Sequence, residues 1–322
     1  MKHAIISGTG SYLPAQVLSN YDLEKKIETT HEWIHDRTGI DSRHIASETE
    51  TTSFMAAEAA KLALDAAELL PSAIDLIIVA TCTPDFFFPS TACYVKNALA
   101  IKRQIPTFDV GAACSGFVYI LDIAKQYIAN GAAEHILLIG SERMSHAVDW
   151  QDRSTCVLFG DGAGAVVLSA REEGARNDKQ GVLATRIHSA YDVESILTFP
   201  NSLVNPSGKI KMRGNEVFKL AVNMMGDIVD EVLADCQLKK SDINWLIPHQ
   251  ANIRIIKAIA KKVNLPMSQV IVTVDSQGNT SAASIPIAFD YAVKSQQVKR
   301  GDLLLIEAFG GGVTWGAALI KY

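Results

Sequence analysis

The sequence has no apolar run long enough to cross a bilayer. Crossing takes about 20 residues, and its apolar stretches, such as Ile136 to Ile139 and Leu303 to Ile306, are far shorter. A basic-then-apolar leader is also missing: Met1 to Ser7 runs directly into a strand-like segment, so no signal peptide is expected. The five cysteines, at positions 82, 93, 114, 156 and 236, are odd in number and irregularly spaced. With no CxxC pair among them, they suit neither a disulfide framework nor a zinc site. The expected setting is a reducing cytoplasm, with no metal and no membrane. Basic charge is not in surplus either. Lys and Arg number 30 against 35 Asp and Glu, a formal net charge of -5, which points away from nucleic acid. An acidic partner would have to be met by a local basic patch.

What is present is an ordinary globular composition, 48% hydrophobic and 20% charged over 322 residues. Strand-like runs alternate with amphipathic helical stretches, the pattern of an α/β protein. The second half also echoes the first. Ser72-Ala-Ile-Asp-Leu-Ile-Ile-Val resembles Ser241-Asp-Ile-Asn-Trp-Leu-Ile-Pro, and Phe108-Asp109 resembles Val274-Asp275. Phe159-Gly-Asp-Gly-Ala-Gly-Ala likewise resembles Phe309-Gly-Gly-Gly-Val-Thr-Trp-Gly. Three echoes in one order predict a duplicated unit. The expected junction is the polar stretch Arg171 to Gln180, which gives halves of 1–171 and 172–322. Helices are expected from a Ser53 cap to about Leu69, from Ser90 through Ala100, and from Cys114 to about Asn130. Further helices are expected over 214–236, 252–263 and 281–293.

Three loop motifs carry polar chemistry. Gly111-Ala-Ala-Cys-Ser-Gly-Phe follows the short strand Thr107-Phe-Asp-Val and enters a helix. Cys114 is therefore placed at a helix N-terminus, where backbone dipoles favour a thiolate and lower its pKa. Placement alone leaves two readings open, a reactive thiol or a small buried core residue. Pro248-His249-Gln-Ala-Asn and Gln277-Gly-Asn279-Thr-Ser-Ala-Ala-Ser each follow an expected strand and open a helix. There a lone His or Asn is ordinarily a cap or turn residue. Duplication can nevertheless bring all three to one crevice at the strand C-termini. Beyond His249, Arg254, Lys257 and Lys261 share one helix face opposite Ile253, Ile256, Ala260 and Val263, with Lys262 and Lys219 nearby. Such a stripe is either a solvated surface or a docking patch for an acidic partner.

These motifs, with Phe309-Gly-Gly-Gly-Val-Thr-Trp-Gly, resemble β-ketoacyl-acyl carrier protein synthase III over nearly the whole chain. The resemblance implies a thiolase fold, five layers α-β-α-β-α from two duplicated halves, and a homodimer. It also implies condensation of an acyl-CoA, often acetyl-CoA, with malonyl-acyl carrier protein to start type II fatty acid synthesis. Coenzyme A thioesters are substrates, and no cofactor is expected. Carried over by motif, Cys114 is the nucleophile, with His249 and Asn279 completing the catalytic set. Backbone N–H groups of Cys114 and Gly311 hold the oxyanion, and Phe309 borders the site. Trp33, Arg37, Arg153 and Asn215 are implied coenzyme A contacts; otherwise Trp33 is a half-buried residue of a surface helix. Phe88, Met144, Phe159 and Met212 are implied to line the acyl tunnel, with one wall from the dimer partner. Arg254, Lys219, Lys257, Lys261 and Lys262 become the carrier-protein docking patch.

Rival readings fit less well. A degradative thiolase needs a late cysteine, and none follows Cys236. Elongating synthases use a second histidine where Asn279 stands. The dinucleotide fingerprint suggested by Ser7-Gly8-Thr-Gly10 lacks its third glycine, and Pro14 follows where a helix should start. The closest competitor is a condensing enzyme of secondary metabolism with a different acyl primer.

Overall fold

A computed structural model describes residues 2–172, 180–201 and 203–322. The expected junction falls largely on 173–179, outside the described residues. Five strands form a first sheet: β1 Lys2–Tyr12, β2 Leu76–Ala80, β3 Thr107–Val110, β4 His135–Arg143 and β5 Asp161–Glu172, in the order β1-β5-β4-β2-β3. Four form a second: β6 Gly181–Ser189, β7 Trp245–Pro248, β8 Leu303–Gly310 and β9 Thr314–Lys321, in the order β6-β9-β8-β7. The strand senses correspond. In each sheet a parallel pair, β2 with β4 or β7 with β8, is followed by two antiparallel pairings. The duplication expected from the sequence echoes is therefore a duplication of topology.

The two sheets differ at one edge. Where β3 closes the first sheet, the second has only a single parallel bridge, Leu246 to Val270. The strand expected before Asn279 is replaced by a helical turn, Val274–Gln277, which contains Asp275. The cause is the buried Gln250 amide. Its Oε1 accepts from the Thr273 and Val274 N–H groups at 2.9 and 3.2 Å, and its Nε2 donates to Ile271 O at 3.1 Å. A side chain thus takes the backbone groups that a ladder would have used.

Among the described residues, seven helices of eight residues or more complete the frame: α1 His31–Thr38, α2 Thr52–Ala66, α3 Thr91–Ala98, α4 Gly116–Ala129, α5 Gly214–Cys236, α6 Ile253–Lys262 and α7 Ser284–Lys294. Ser90 caps α3 as expected and Asn252 caps α6, but α2 is capped by Thr51, not Ser53. Three apolar clusters separate the layers. Met55, Ala59 and Ala63 of α2 pack on Ile77, Val79 and Leu137. Phe117 and Leu121 of α4, with Phe289 of α7, lie between Leu138 and Ile306 of opposite sheets. Val229 and Ile256 of α5 and α6 cover Leu303 and Leu305. Alternate residues of β8 face different clusters, as the two-residue strand period requires. The order is α-β-α-β-α.

Gly8 and Gly10, the remnant of a dinucleotide fingerprint, serve packing. An added Cβ would lie 2.3 Å from Ala63 O and 2.4 Å from Ala63 N, respectively, so α2 sits directly on β1. Among the described residues no helix is long and apolar enough to cross a membrane.

Candidate active site

Cys114 lies in a short 3-10 turn, Ala113–Ser115, that opens the central helix α4. Ala113, immediately before it, is left-handed with φ 47°. The duplicated half has the same device: the 3-10 turn Ser281–Ala283 opens α7, and Ser281 has φ 51°. The two turns pack on each other. Cys114 is only 9% exposed. Burial pushes its thiol up to about 11, assisted by the Glu142 carboxyl and opposed by the Ser281 hydroxyl and its own backbone N–H. This corrects the expectation of a lowered pKa. The helix N-terminus is present, but in the substrate-free site desolvation outweighs it.

His249 follows β7, and its N–H donates to Glu307 O at 2.8 Å. The ring is buried, and desolvation lowers its pKa to about 3, so it is neutral. Its Nδ1 is 2.7 Å from Ser284 Oγ, which also accepts from the Gln250 N–H at 3.3 Å. A hydroxyl already accepting one bond can give its proton to Nδ1, which leaves the hydrogen on Nε2. Asn279 is fixed similarly. Its Oδ1 accepts from Ser281 N at 2.8 Å, leaving the NH2 group as a donor. Its backbone is tied to the loop before β5: Asn279 N donates to Leu158 O at 2.8 Å, and Gly160 N to Asn279 O at 3.0 Å.

Cys114, His249 and Asn279 line one apolar cavity of about 80 Å³, together with Phe159, Met212 and Phe309. Cys114 and Phe159 also face a cleft of about 1190 Å³ lined by Met144, Phe86, Phe87 and Gly311. The sulfur thus stands where a wide cleft meets a narrow chamber. Phe88, expected in the acyl tunnel, does not line this cleft of its own chain and is 86% exposed.

Two polar residues of the site were missed in the sequence. Glu142 is fully buried, its carboxyl raised by desolvation to about 7, and it accepts from Thr83 Oγ1 at 2.6 Å, Cys82 N at 3.0 Å and Ser281 Oγ at 3.2 Å. A charged residue ending an otherwise apolar strand was the available signal. Ser284 is the last serine of the Asn279 motif, and only the fold shows that it meets His249.

Among the implied coenzyme A contacts, Trp33 is half-buried, and the Arg37 and Arg153 guanidiniums lie 4.5 and 5.0 Å from its ring centre. Arg153 also donates to Glu28 O at 2.8 Å. The gap in which an adenine would stack between Trp33 and Arg153 is therefore closed. Asn215 is exposed in the first turn of α5, beside Gly214 of the cavity wall. On α6, Arg254, Lys257 and Lys261 are exposed, as is Lys219 on α5. Lys262 departs from the stripe: its ammonium folds back onto α5, donating to Asn223 O at 2.8 Å and Asp227 Oδ1 at 3.1 Å. The buried face of α6 is Ile255, Ile256, Ile259 and Ala260, while Ile253, expected inside, is part-exposed against Gly39.

Models described as 3-oxoacyl-[acyl-carrier-protein (ACP)] synthase III and its C-terminal part match residues 108–190 and 233–322. The chain is similar to β-ketoacyl-[acyl-carrier-protein] synthase III of Methylococcus capsulatus, with 54% identity covering 100% of this chain and 99% of that protein. A relative of the same name from Coxiella burnetii is 52% identical over the whole of both chains. The crystal structure of 3-oxoacyl-[acyl-carrier-protein] synthase III from Aquifex aeolicus matches with a TM-score of 0.92 and 51% identity, covering all of both chains. Identity of 52–54% along the full length, in a fold of two thiolase-like halves, makes this chain a member of the β-ketoacyl-[acyl-carrier-protein] synthase III family.

Proposed function

We propose that this condensing enzyme transfers an acyl group from acyl-CoA, with acetyl-CoA as the first candidate, through Cys114 to malonyl-acyl carrier protein. The observation that carries the reading is the cavity that Cys114, His249 and Asn279 share. In the first half-reaction the Cys114 sulfur attacks the thioester carbonyl. The C–S bond to coenzyme A breaks, the acyl group stays on the enzyme, and the thiol proton leaves with the coenzyme A thiolate. Backbone N–H groups of Cys114 and Gly311 hold the oxyanion, each such donor being worth about 3 kcal/mol.

In the second half-reaction the malonyl C–C bond breaks, carbon dioxide leaves, and its electron pair becomes an enolate. His249 Nε2–H and Asn279 Nδ2–H donate to the enolate oxygen. A histidine kept neutral by burial suits this role, because its proton is bonded but not transferred. The carbanion attacks acyl-Cys114, and the released thiolate takes one proton from solvent. Phe309, 4% exposed beside the cavity, keeps water from the malonyl carboxylate. Coenzyme A enters along Trp33, Arg37, Arg153 and Asn215, with Arg153 lifting from Trp33 to admit the adenine. Met144, Phe159 and Met212 bound the acyl chain. The same reading places the enzyme in a reducing cytoplasm; no disulfide joins its cysteines.

Two surfaces complete the reading. Arg254, Lys219, Lys257 and Lys261 receive the acidic carrier protein, while Lys262 supports them by tying the end of α6 to α5. A homodimer forms through the side of the first sheet where β3 is an edge strand and Phe86, Phe87 and Phe88 are exposed. Phe88 then reaches the partner's tunnel.

Asn279→Ala should slow malonyl decarboxylation at least tenfold while coenzyme A release from acyl-CoA in a single turnover stays within about twofold. Equal loss of both steps would contradict the assigned division of labour. Arg254→Glu should raise the KM for malonyl-acyl carrier protein severalfold and leave that for acyl-CoA unchanged; equal effects on both would remove the docking role. Sedimentation of Phe88→Asp should show a shift from dimer towards monomer, and a wild-type monomer would end the dimer proposal.

A further inference from the structure

The outer face of α1 carries a cluster that the condensation does not use. His31 and His35 lie one helical turn apart, and Asp41 follows just beyond the Gly39 cap. One ligand atom from each of the three lies within 4.8 Å of the others, and among the described residues no other group of three such side chains gathers in this way. The rings are already held. Tyr21 stacks on His31 with centroids 4.5 Å apart and planes at 10°, and His35 stacks with His31 at 5.8 Å and 27°. Asp41 Oδ1 is 2.7 Å from His35 Nδ1, and the Asp41 N–H is bonded to Asp275 O at 2.7 Å. The one side-chain hydrogen bond to the His31 ring, from Asn20 Nδ2, is long at 3.4 Å and easily exchanged for a stronger ligand bond.

We propose that His31, His35 and Asp41 form a binding site for a divalent first-row transition ion, with zinc as the reference case. Two imidazoles and one carboxylate are the donor set that zinc takes in open three-ligand sites, with solvent in the remaining position. Metal–ligand bonds of about 2.0–2.1 Å put tetrahedral ligand atoms about 3.3 Å apart. The cluster therefore closes by small side-chain rotations on an exposed surface and needs no backbone movement. Magnesium and calcium prefer all-oxygen shells and are poor occupants. A bound ion would join α1 to the 39–42 segment as a clamp. Trp33 and Arg37 project from the opposite side of the helix, about 200° around its axis, so the site is separate from the proposed coenzyme A face.

Titration of the untagged enzyme with cobalt(II), followed by its d–d absorption, tests the site. A Cys93→Ser background removes the exposed thiol as a competing ligand. One equivalent should bind, zinc should displace it, and magnesium at a hundredfold excess should not. His31→Asn and His35→Asn should each weaken binding at least tenfold, with Asp41→Asn weakening it less. Zinc should also raise the Tm of the parent protein and not that of His31→Asn. Circular dichroism of each variant, with its condensation activity, establishes that it is folded. Folded His31→Asn and His35→Asn variants that bind cobalt as the parent does would overturn the proposal, as would displacement by magnesium.

Discussion

The active centre depends on how closely two helix-opening turns approach each other between the sheets. Ala113–Ser115 opens α4, Ser281–Ala283 opens α7, and the surrounding backbone leaves no room between them. A Cβ added at Gly140 would lie 2.3 Å from Ala282 O, and one at Gly310 would lie 2.7 Å from Cys114 N. One at Gly116 would be 2.9 Å from Ala80 Cβ. Small residues are therefore required on every side. Each turn also holds a non-glycine residue in the left-handed region, a strain of about 1–3 kcal/mol that the packing around it must offset. The close approach sets Cys114 from one half against Asn279 and Ser281 from the other, with His249 held by Ser284 at the start of α7. A catalytic set drawn from both halves needs both turns.

The second consequence is electrical. The same packing that excludes bulky side chains excludes water, and it moves three groups towards neutrality: the Cys114 thiol up to about 11, His249 down to about 3, and Glu142 up to about 7. A site with so little fixed charge has its dipoles in place before substrate arrives, with Ser284 holding the His249 ring and Ser281 N holding the Asn279 amide oxygen. In such a medium N–H donors aimed at a developing oxyanion or enolate act far more strongly than in water. The arrangement therefore favours charge that forms during the reaction over charge that the enzyme carries beforehand.

Much of this was legible before any coordinates. The echoes between the halves gave the duplication and periodicity gave the helix limits to within a few residues, while the family resemblance implied the five layers and grouped Cys114, His249 and Asn279. What was hidden has a common physical form: it depends on side chains that meet across long sequence separations. Gln250 replaces an edge strand in the second half. Glu142 and Ser284 lie inside apolar elements, so their partners are invisible in a linear pattern. Lys262 shares its helix with the basic stripe but bonds to α5, and Arg153 covers the ring of Trp33, its fellow implied coenzyme A contact. Local rules also mislead about the thiols. A helix N-terminus argues for a lowered Cys114 pKa, yet the thiol whose pKa is lowered is Cys93, through the Ser90 and Thr107 hydroxyls on the surface. Position between cleft and chamber distinguishes Cys114; resting acidity does not.

That contrast decides where the account is most exposed. Peptide-mapped mass spectrometry of the enzyme mixed with acetyl-CoA alone reads the acyl carrier directly. The account predicts one acetyl group per chain, on the peptide containing Cys114, that disappears as 3-oxoacyl product when malonyl-acyl carrier protein is added. Acetylation at Cys82 or Cys93 in its place, or a Cys114 adduct that the second substrate fails to discharge, would contradict it.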